Sequence, residues 1–467
     1  MPEPLTYPMT RERQRMGYLM EAAWGTIPAG APRILPVETP DLRVVGQRVL
    51  DSGPRGRWAK DHRSYRTVQE GQASLAGPFY PYLVTPFLGM FFGTESTVAS
   101  LAVNAGVGAD LYMHRYTIAA QPTSRLGLSL FLEDEITGFS ATQPPTGTNS
   151  QVRVSGFLVP AFNLSFNKAE GLLAWSSDLR GRASTAAFPG TSSAGGGINV
   201  APTFTSTAMN AGATSAVVMP TTNILHGFNA SVVIHQNDPT DTTLDPNGAG
   251  VAGMTITSAT EGLMELQGME ISMERPLTWS YAGGNVRTPS DFALGAPRIT
   301  FVATLSFQSY VQYRRWLSFN DNSAADDGSD PATYTFGAGL AAAHEQWQVL
   351  WVNYPGIVLP TVNTNGLGDV NLEAITGQVS AFNSVPFLNL NDRSALYMEF
   401  PEVEYGEAEA DIARGEDLIT IRLSGLALPD PRNVTAATPP GGVATVSSFE
   451  ETAVVKVYDA LNASHLA

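Results

Sequence analysis

The chain has 467 residues, 43% hydrophobic and only 15% charged, a balance that builds cores and excludes a disordered tail or solvated linker. Its 27 basic against 43 acidic residues leave a net charge of −16, which excludes broad electrostatic adhesion to nucleic acid or acidic membranes. There is no cysteine, hence no disulfide framework or thiolate nucleophile, a composition suited to assembly in a reducing cytoplasm.

Residues 1–28 read as an N-terminal arm. Pro2, Pro4 and Pro8 keep its start extended, and Thr10 to Ala23 offers one short helix, with a disordered tail as the alternative. The arm has no apolar core or cleavage site of signal-peptide type, and no run of about 18 apolar residues predicts a membrane-spanning helix. A first β-rich module is expected over residues 29–245, opening on a strand at Ile34–Val37. Asp51 to Arg66 is polar, Arg-rich and without apolar period, and reads as a long exposed loop. Its Arg55, Arg57, Lys60 and Arg63 beside Trp58 and Tyr65 invite a nucleic-acid reading. Against the overall charge, contact with an acidic neighbouring subunit fits better.

Gln72 to Gly93 predicts a short strand at Ala73–Leu75, then a helix with Tyr80, Leu83, Val84, Phe87 and Leu88 on one face. Tyr112 to Glu133 holds a hairpin, and Ser184 to Ser215 reads as a surface connection. Asn237 to Gly250 carries Asp-Pro and Asn-Gly turn signals and links to a second module over residues 246–467. There Ile299, Phe301, Ala303, Leu305 and Phe307 alternate as in a half-buried strand, and Tyr310, Tyr313 and Leu317 follow at helical spacing. Closing strands are expected at Glu399–Tyr405, Leu418–Leu423 and Ala453–Tyr458.

The halves match each other. Ala73 on Ala303 sets an offset of 230, and Asp41 to Val44 then falls near Glu270 to Met273. Phe157 to Ser184 falls on Met398 to Gly425 with Pro160 on Pro401, and Ala230 to Ile234 resembles Ala453 to Val457. Four blocks in one order at nearly constant offset mark an internal duplication. The fold class expected is mainly β: two tandem β-sandwich or barrel modules, each flanked by one α-helix.

Chemical motifs are sparse. None of the six histidines has a partner at metal-site spacing, and each reads as a surface or core residue. No P-loop, dinucleotide fingerprint or nucleophile elbow occurs. Glu133-Asp134-Glu135 reads as a solvated turn, and Asp321, Asp326, Asp327 and Asp330 depart from the calcium-loop pattern. No catalytic group, cofactor or metal is expected, and a chelator should leave stability unchanged. Glu402 and Glu404, alternating with Val403 and Tyr405, read as the wet face of a strand.

Three stretches resemble the tail tube proteins of long-tailed, siphovirus-type bacteriophages. They are Glu21-Ala22-Ala23-Trp24-Gly25-Thr26-Ile27-Pro28, similar to an E-x-x-W/Y-G-T-x-P start in that family, the strand-then-helix block, and Phe400-Pro401-Glu402-Val403-Glu404-Tyr405. The likeness covers most of the chain. It implies a structural virion protein whose modules join sheet to sheet into a barrel, in rings that stack as the conduit for DNA ejection. Two modules per chain imply a trimeric, pseudo-sixfold ring. Partners would be other copies of the chain and the tape-measure, tail-terminator and tail-tip proteins. DNA would pass without specific binding, no membrane would be involved, and assembly would occur in the host cytoplasm. Glu402 and Glu404 would face the lumen, while Arg55, Arg57, Trp58 and Arg63 would contact the next ring. The first copy departs from this, with Asn163 and Ser165 in place of the acidic pair. The rival from another class is a β-sandwich surface or capsid-decoration protein that binds carbohydrate or another virion protein through Trp58 and Tyr65.

Overall fold

In this computed structural model the structure describes residues 14–26, 28, 33–38, 40–51, 63–101, 111–118, 126–134, 150–167, 171–182, 225, 230–237, 263–264, 266–281, 288–306, 344–352, 394–411, 420–429, 452–459 and 464–466. In chain order the first half forms β1 (Gln14–Glu21), β2 (Arg33–Leu35), β3 (Asp41–Asp51), β4 (Arg63–Pro78), α1 (Pro81–Phe92), β5 (Gly93–Leu101), β6 (Leu111–Ile118), β7 (Gly127–Asp134), β8 (Ser150–Asn167) and β9 (Leu173–Gly181). The second half adds β10 (Ser231–Asn237), β11 (Leu263–Met264), β12 (Leu266–Glu274), β13 (Leu277–Ser280), β14 (Asp291–Leu294), β15 (Arg298–Ser306), β16 (His344–Val352), β17 (Ala395–Asp411), β18 (Thr420–Leu428) and β19 (Val454–Asp459). The protein is mainly β, with large antiparallel sheets and one helix among the described residues.

Eight strands make one continuous antiparallel run, β3-β4-β9-β8-β12-β15-β18-β17. Its two quartets, β3-β4-β9-β8 and β12-β15-β18-β17, use their strands in the same order. Other pairings recur as well. β1 pairs with β2 and β7, and β7 with the first part of β8. Likewise β10 pairs with β11 and β16, and β16 with the first part of β17. By its ladders β10 stands where β1 stands. The sequence match instead set its start against β19, which pairs with β17 and β6. Register moves too. Ala73 faces Leu179 and Ala303 faces Leu423, so β9 and β18 correspond at 423 − 179 = 244, not at the 401 − 160 = 241 of the proline match. Each quartet also carries a one-residue register shift, in β8 near Leu158 and in β17 near Tyr405, which a sequence alignment cannot see.

Alternation gives each strand of the run one apolar face. Leu75, Trp175, Leu164, Ile271, Phe301 and Leu423 are buried on that side. α1 packs against the first quartet: Phe87 lies 5.4 Å from Trp175 and 5.1 Å from Tyr18 of β1, and Trp175 stacks on Phe162 at 5.8 Å. In the second quartet Phe301 meets Trp347 at 4.7 Å and Phe400 at 5.4 Å. The other face of the run is polar, with Ser74, Asp178, Ser165, Glu270 and Arg422 exposed.

α1 begins where Pro81 presets the first turn and ends where Gly93 takes the left-handed conformation (φ 86°), its N–H bonding to Gly89 O. Nearly all of its residues are buried, which suits a core helix. It runs four residues past the predicted Leu88. The corresponding stretch after β15, Tyr310 to Leu317, lies outside the described residues. Arg275, itself buried, donates from Nη1 to Phe91 O (3.0 Å) at the end of α1, so the turn after β12 is fastened to the first half. Burial lowers its pKa.

Two expectations are overturned. Gln14–Glu21 is a strand, not a helix: Met16 and Tyr18 are buried at period two and the whole segment pairs with β7. The proposed loop at 51–66 is partly strand, since Asp51 pairs with Arg63 and Leu50 with Ser64 at the far end of the β3–β4 hairpin. A hairpin arm needs backbone partners more than apolar alternation, so its polar sequence concealed it.

Gly425 shows how tightly the run is packed. A Cβ there would sit 2.5 Å from the Phe301 ring, which lies directly across the ladder. Gly425→Ala is expected to cost about 1–3 kcal/mol through overpacking. Phe301→Leu in the same chain should recover part of it, both read from urea denaturation midpoints.

Candidate assembly edges and two buried carboxylate clusters

The eight-stranded run ends in β3 on one side and β17 on the other. Among the described residues β3 has a ladder partner only in β4, and Glu404–Asp411 of β17 only in β18. Open edges of this kind template further pairing. Inside the chain, the last strand of the first quartet already joins the first strand of the second. Asn167 to Ala161 of β8 runs against Gly268 to Glu274 of β12, seven residue pairs without a bulge. At that junction Ile271 is 1% exposed, facing Phe301 in β15 and Leu164 in β8. Val44, on the corresponding strand β3 and facing Gly71, is 37% exposed. An apolar side chain is thus covered where the edge is paired and bare where it is not. β17 carries Glu404, Glu407, Glu409 and Asp411, while β3 carries Asp41 and Asp51 as well as Arg43 and Arg48, with Arg43 3.7 Å from Asp41, so one edge is acidic and the other balanced.

Glu21 anchors the turn after β1. Its Oε1 accepts from Ser129 Oγ (2.5 Å) and Gly156 N (2.8 Å), and its Oε2 from Gly25 N (2.6 Å). Gly25 is left-handed (φ 79°), which brings Trp24 over the sheet. Trp24 Nε1 donates to Gly156 O (2.8 Å), and its ring stacks on Trp279 at 6.0 Å and meets Phe292 edge-on at 5.1 Å. Trp279 in turn donates to Glu70 Oε2 (3.1 Å), whose other oxygen pairs with Arg180 (2.9 Å). The Glu-x-x-Trp-Gly stretch therefore plugs β1 into β7 and β8 and receives the β13–β14 hairpin of the second half.

A second carboxylate holds the C-terminal end. Glu95 of β5 faces Tyr116 across the ladder with β6, and His114 lies two residues along the same face. Glu95 Oε1 accepts from His114 Nδ1 (2.9 Å), the His465 backbone N–H (3.0 Å) and Tyr116 OH (3.4 Å). Oε2 accepts from Leu466 N (3.1 Å) and from Ser464 Oγ. The two imidazoles stack 4.2 Å apart, and His465 Nδ1 lies 2.6 Å from Tyr116 OH. Burial acts to raise the Glu95 pKa, but the His114, Ser464 and His465 contacts together outweigh it and pull it down to about 2. Sequence spacing does not reveal this cluster. Its members stand 19 and 370 residues from Glu95, and the histidines had read as isolated.

Of the residues singled out from sequence, Glu404 is exposed, but Glu402 is buried, 4% exposed, together with Val403. Strict alternation fails there because β17 passes from β16 to β18 at this point, with shifts on both ladders. Ser165 is exposed and sits directly opposite Glu270, while Asn163 faces Ser272. Arg63 lies in β4, whereas Arg55, Arg57 and Trp58 lie outside the described residues.

Burial raises the Glu21 pKa, with the Ser129, Gly156, Gly25 and Thr26 hydrogen bonds acting against it. A folded pKa above the unfolded one means that the linked stability is fully present below the unfolded pKa and is lost as pH rises through the folded pKa. Glu21→Gln sets an amide N–H₂ against existing donors and should cost about 1–3 kcal/mol. Its gap to the parent protein should narrow as pH rises, read from melting temperatures across a pH series. No family model matches this chain, and no curated protein matches it.

Proposed function

We propose that this chain is the ring subunit of a phage-type tail tube, a structural protein that assembles edge to edge into hollow, stacked rings. One observation supports the reading: the β8·β12 ladder joins two strand quartets of identical order, and among the described residues the same kinds of edge, β17 and β3, have no further ladder partner at the ends of the run. On this reading the chain is two tandem copies of one tube module, and a second chain adds its β3 to β17 as β12 adds to β8. Three chains would supply six quartets and close the sheet, leaving no open edge. Two acidic β17 edges would repel each other, whereas β3, with its charges balanced, would not repel β17.

The polar face would line the channel. Its small side chains, Ser74, Ser176, Ser165, Ser272 and Thr300, alternate with charged ones, and the exposed arginines of that face stand beside carboxylates: Arg43 near Asp41, Arg180 on Glu70 and Arg298 opposite Glu274. Exposed Glu270, Glu274 and Glu404 add repulsion, and the acidic lining would come from β12 and Glu404 rather than from Glu402. DNA would pass without specific binding, and the tape-measure, terminator and tip proteins would complete the tail. No catalytic role is assigned. Of the N-terminal arm 1–28, Gln14–Glu21 pairs inside the chain as β1, so the proposed grips on the next ring are residues 1–13 with Arg55, Arg57, Trp58 and Arg63.

Electron microscopy of the purified protein tests this. Hollow filaments with three chains per ring are expected. Val44→Lys should abolish ring closure and leave a folded monomer, because the side chain is already 37% exposed in the single chain. A parent protein that stays monomeric in all conditions would overturn the reading in favour of a surface or capsid-decoration sandwich.

A further inference from the structure

We propose that Glu95, His114 and His465 form a site for a divalent first-row metal ion of the zinc class, with the Tyr116 phenol beside it. The bound ion fastens the C-terminal end of the chain to the β5–β6 hairpin. This does not depend on the tube reading.

The donor set carries the inference. Two imidazoles and one carboxylate offer ligand atoms that all lie within 4.8 Å of one another. Borderline ions such as zinc take these donors at about 2.0–2.2 Å, which places neighbouring ligand atoms about 3–3.5 Å apart in a tetrahedron. Glu95 Oε1 and His114 Nδ1 are already 2.9 Å apart, and the Tyr116 oxygen is 3.4 Å from that same Oε1. His465 Nδ1 stands 2.6 Å from the Tyr116 oxygen, so small side-chain rotations open the space for an ion. The site is closed to solvent, with His114 and His465 0% exposed and the Glu95 side chain 3%. In the form that binds a metal, one carboxylate and two imidazoles carry one negative charge, which a dication offsets.

The carboxylate is also held in advance. Ser464 Oγ and Leu466 N grip Oε2, which leaves Oε1 turned toward the imidazoles, the arrangement by which outer hydrogen bonds orient metal ligands. Binding displaces the proton between His114 Nδ1 and Glu95 Oε1, which moves to Nε2 as the neutral ring changes tautomer. The fold makes room for the fastened end. A Cβ on Gly89 of α1 would meet Tyr116 at 2.7 Å and Leu466 at 3.1 Å, so the glycine lets both pack against the helix.

The test uses the full chain, stripped with a chelator and titrated with cobalt(II) as a visible probe, then with zinc(II). Stoichiometric tetrahedral cobalt bands, displaced by zinc, and a zinc-dependent rise in melting temperature are expected. His465→Ala and Glu95→Gln should each weaken binding by about tenfold or more. His465 lies outside every strand ladder, so its variant decides the matter even if Glu95→Gln fails to fold. Absent cobalt bands with no thermal shift, or unchanged bands in His465→Ala, would overturn the proposal and leave the cluster as a hydrogen-bonded latch.

Discussion

Every strand in a sheet must pair its backbone N–H and C=O groups or leave them to water, and the rest of this structure follows from how that requirement is met between β8 and β12. The junction turns two quartets into one run of eight strands, covers Ile271, and places Ser165 opposite Glu270. It also fixes what is left over. A run that grows by adding a β3-type edge to a β8-type edge ends, by its own logic, in one of each. Complementary ends on one chain make head-to-tail contacts, which close into a ring when the rotation from chain to chain allows it.

Two buried carboxylates fasten segments that lie beside this run. Glu21 ties the turn after β1 to β7 and β8, and Trp24 extends the hold to the β13–β14 hairpin. Glu95 ties residues 464–466 to β5 and β6. They are tuned in opposite senses: burial dominates at Glu21 and raises its pKa, whereas at Glu95 the donors dominate and lower it to about 2. The difference lies in the partners. Glu21 receives backbone N–H groups and a serine, while Glu95 adds two imidazoles, the groups that also make its surroundings fit for a metal.

Local periodicity made several elements legible. Ile299 to Leu305 alternates and is a strand; Tyr80 to Leu88 repeats at helical spacing and is followed by the glycine that ends α1. The Glu21-to-Gly25 stretch stood out as a motif before its hydrogen bonds explained it. Where the reading failed, longer-range pairing had prevailed. Gln14 to Glu21 has helix-forming residues, yet β7 offers a full-length partner, and strand pairing with two buried side chains outweighs propensity. Glu402 follows a period-two rule that holds only on an uninterrupted ladder, and β17 changes partners there.

The sequence by itself determined that this protein is β-rich and acidic, because composition and spacing are local properties of the chain. Only the tertiary structure decided which strands become neighbours, which edges stay open, and that Glu95, His114 and His465 meet. Those facts depend on contacts across the chain, from the β8·β12 ladder to the Glu95–His465 contact that spans 370 residues, and on registers set by bulges and backbone hydrogen bonds that carry no side-chain signature.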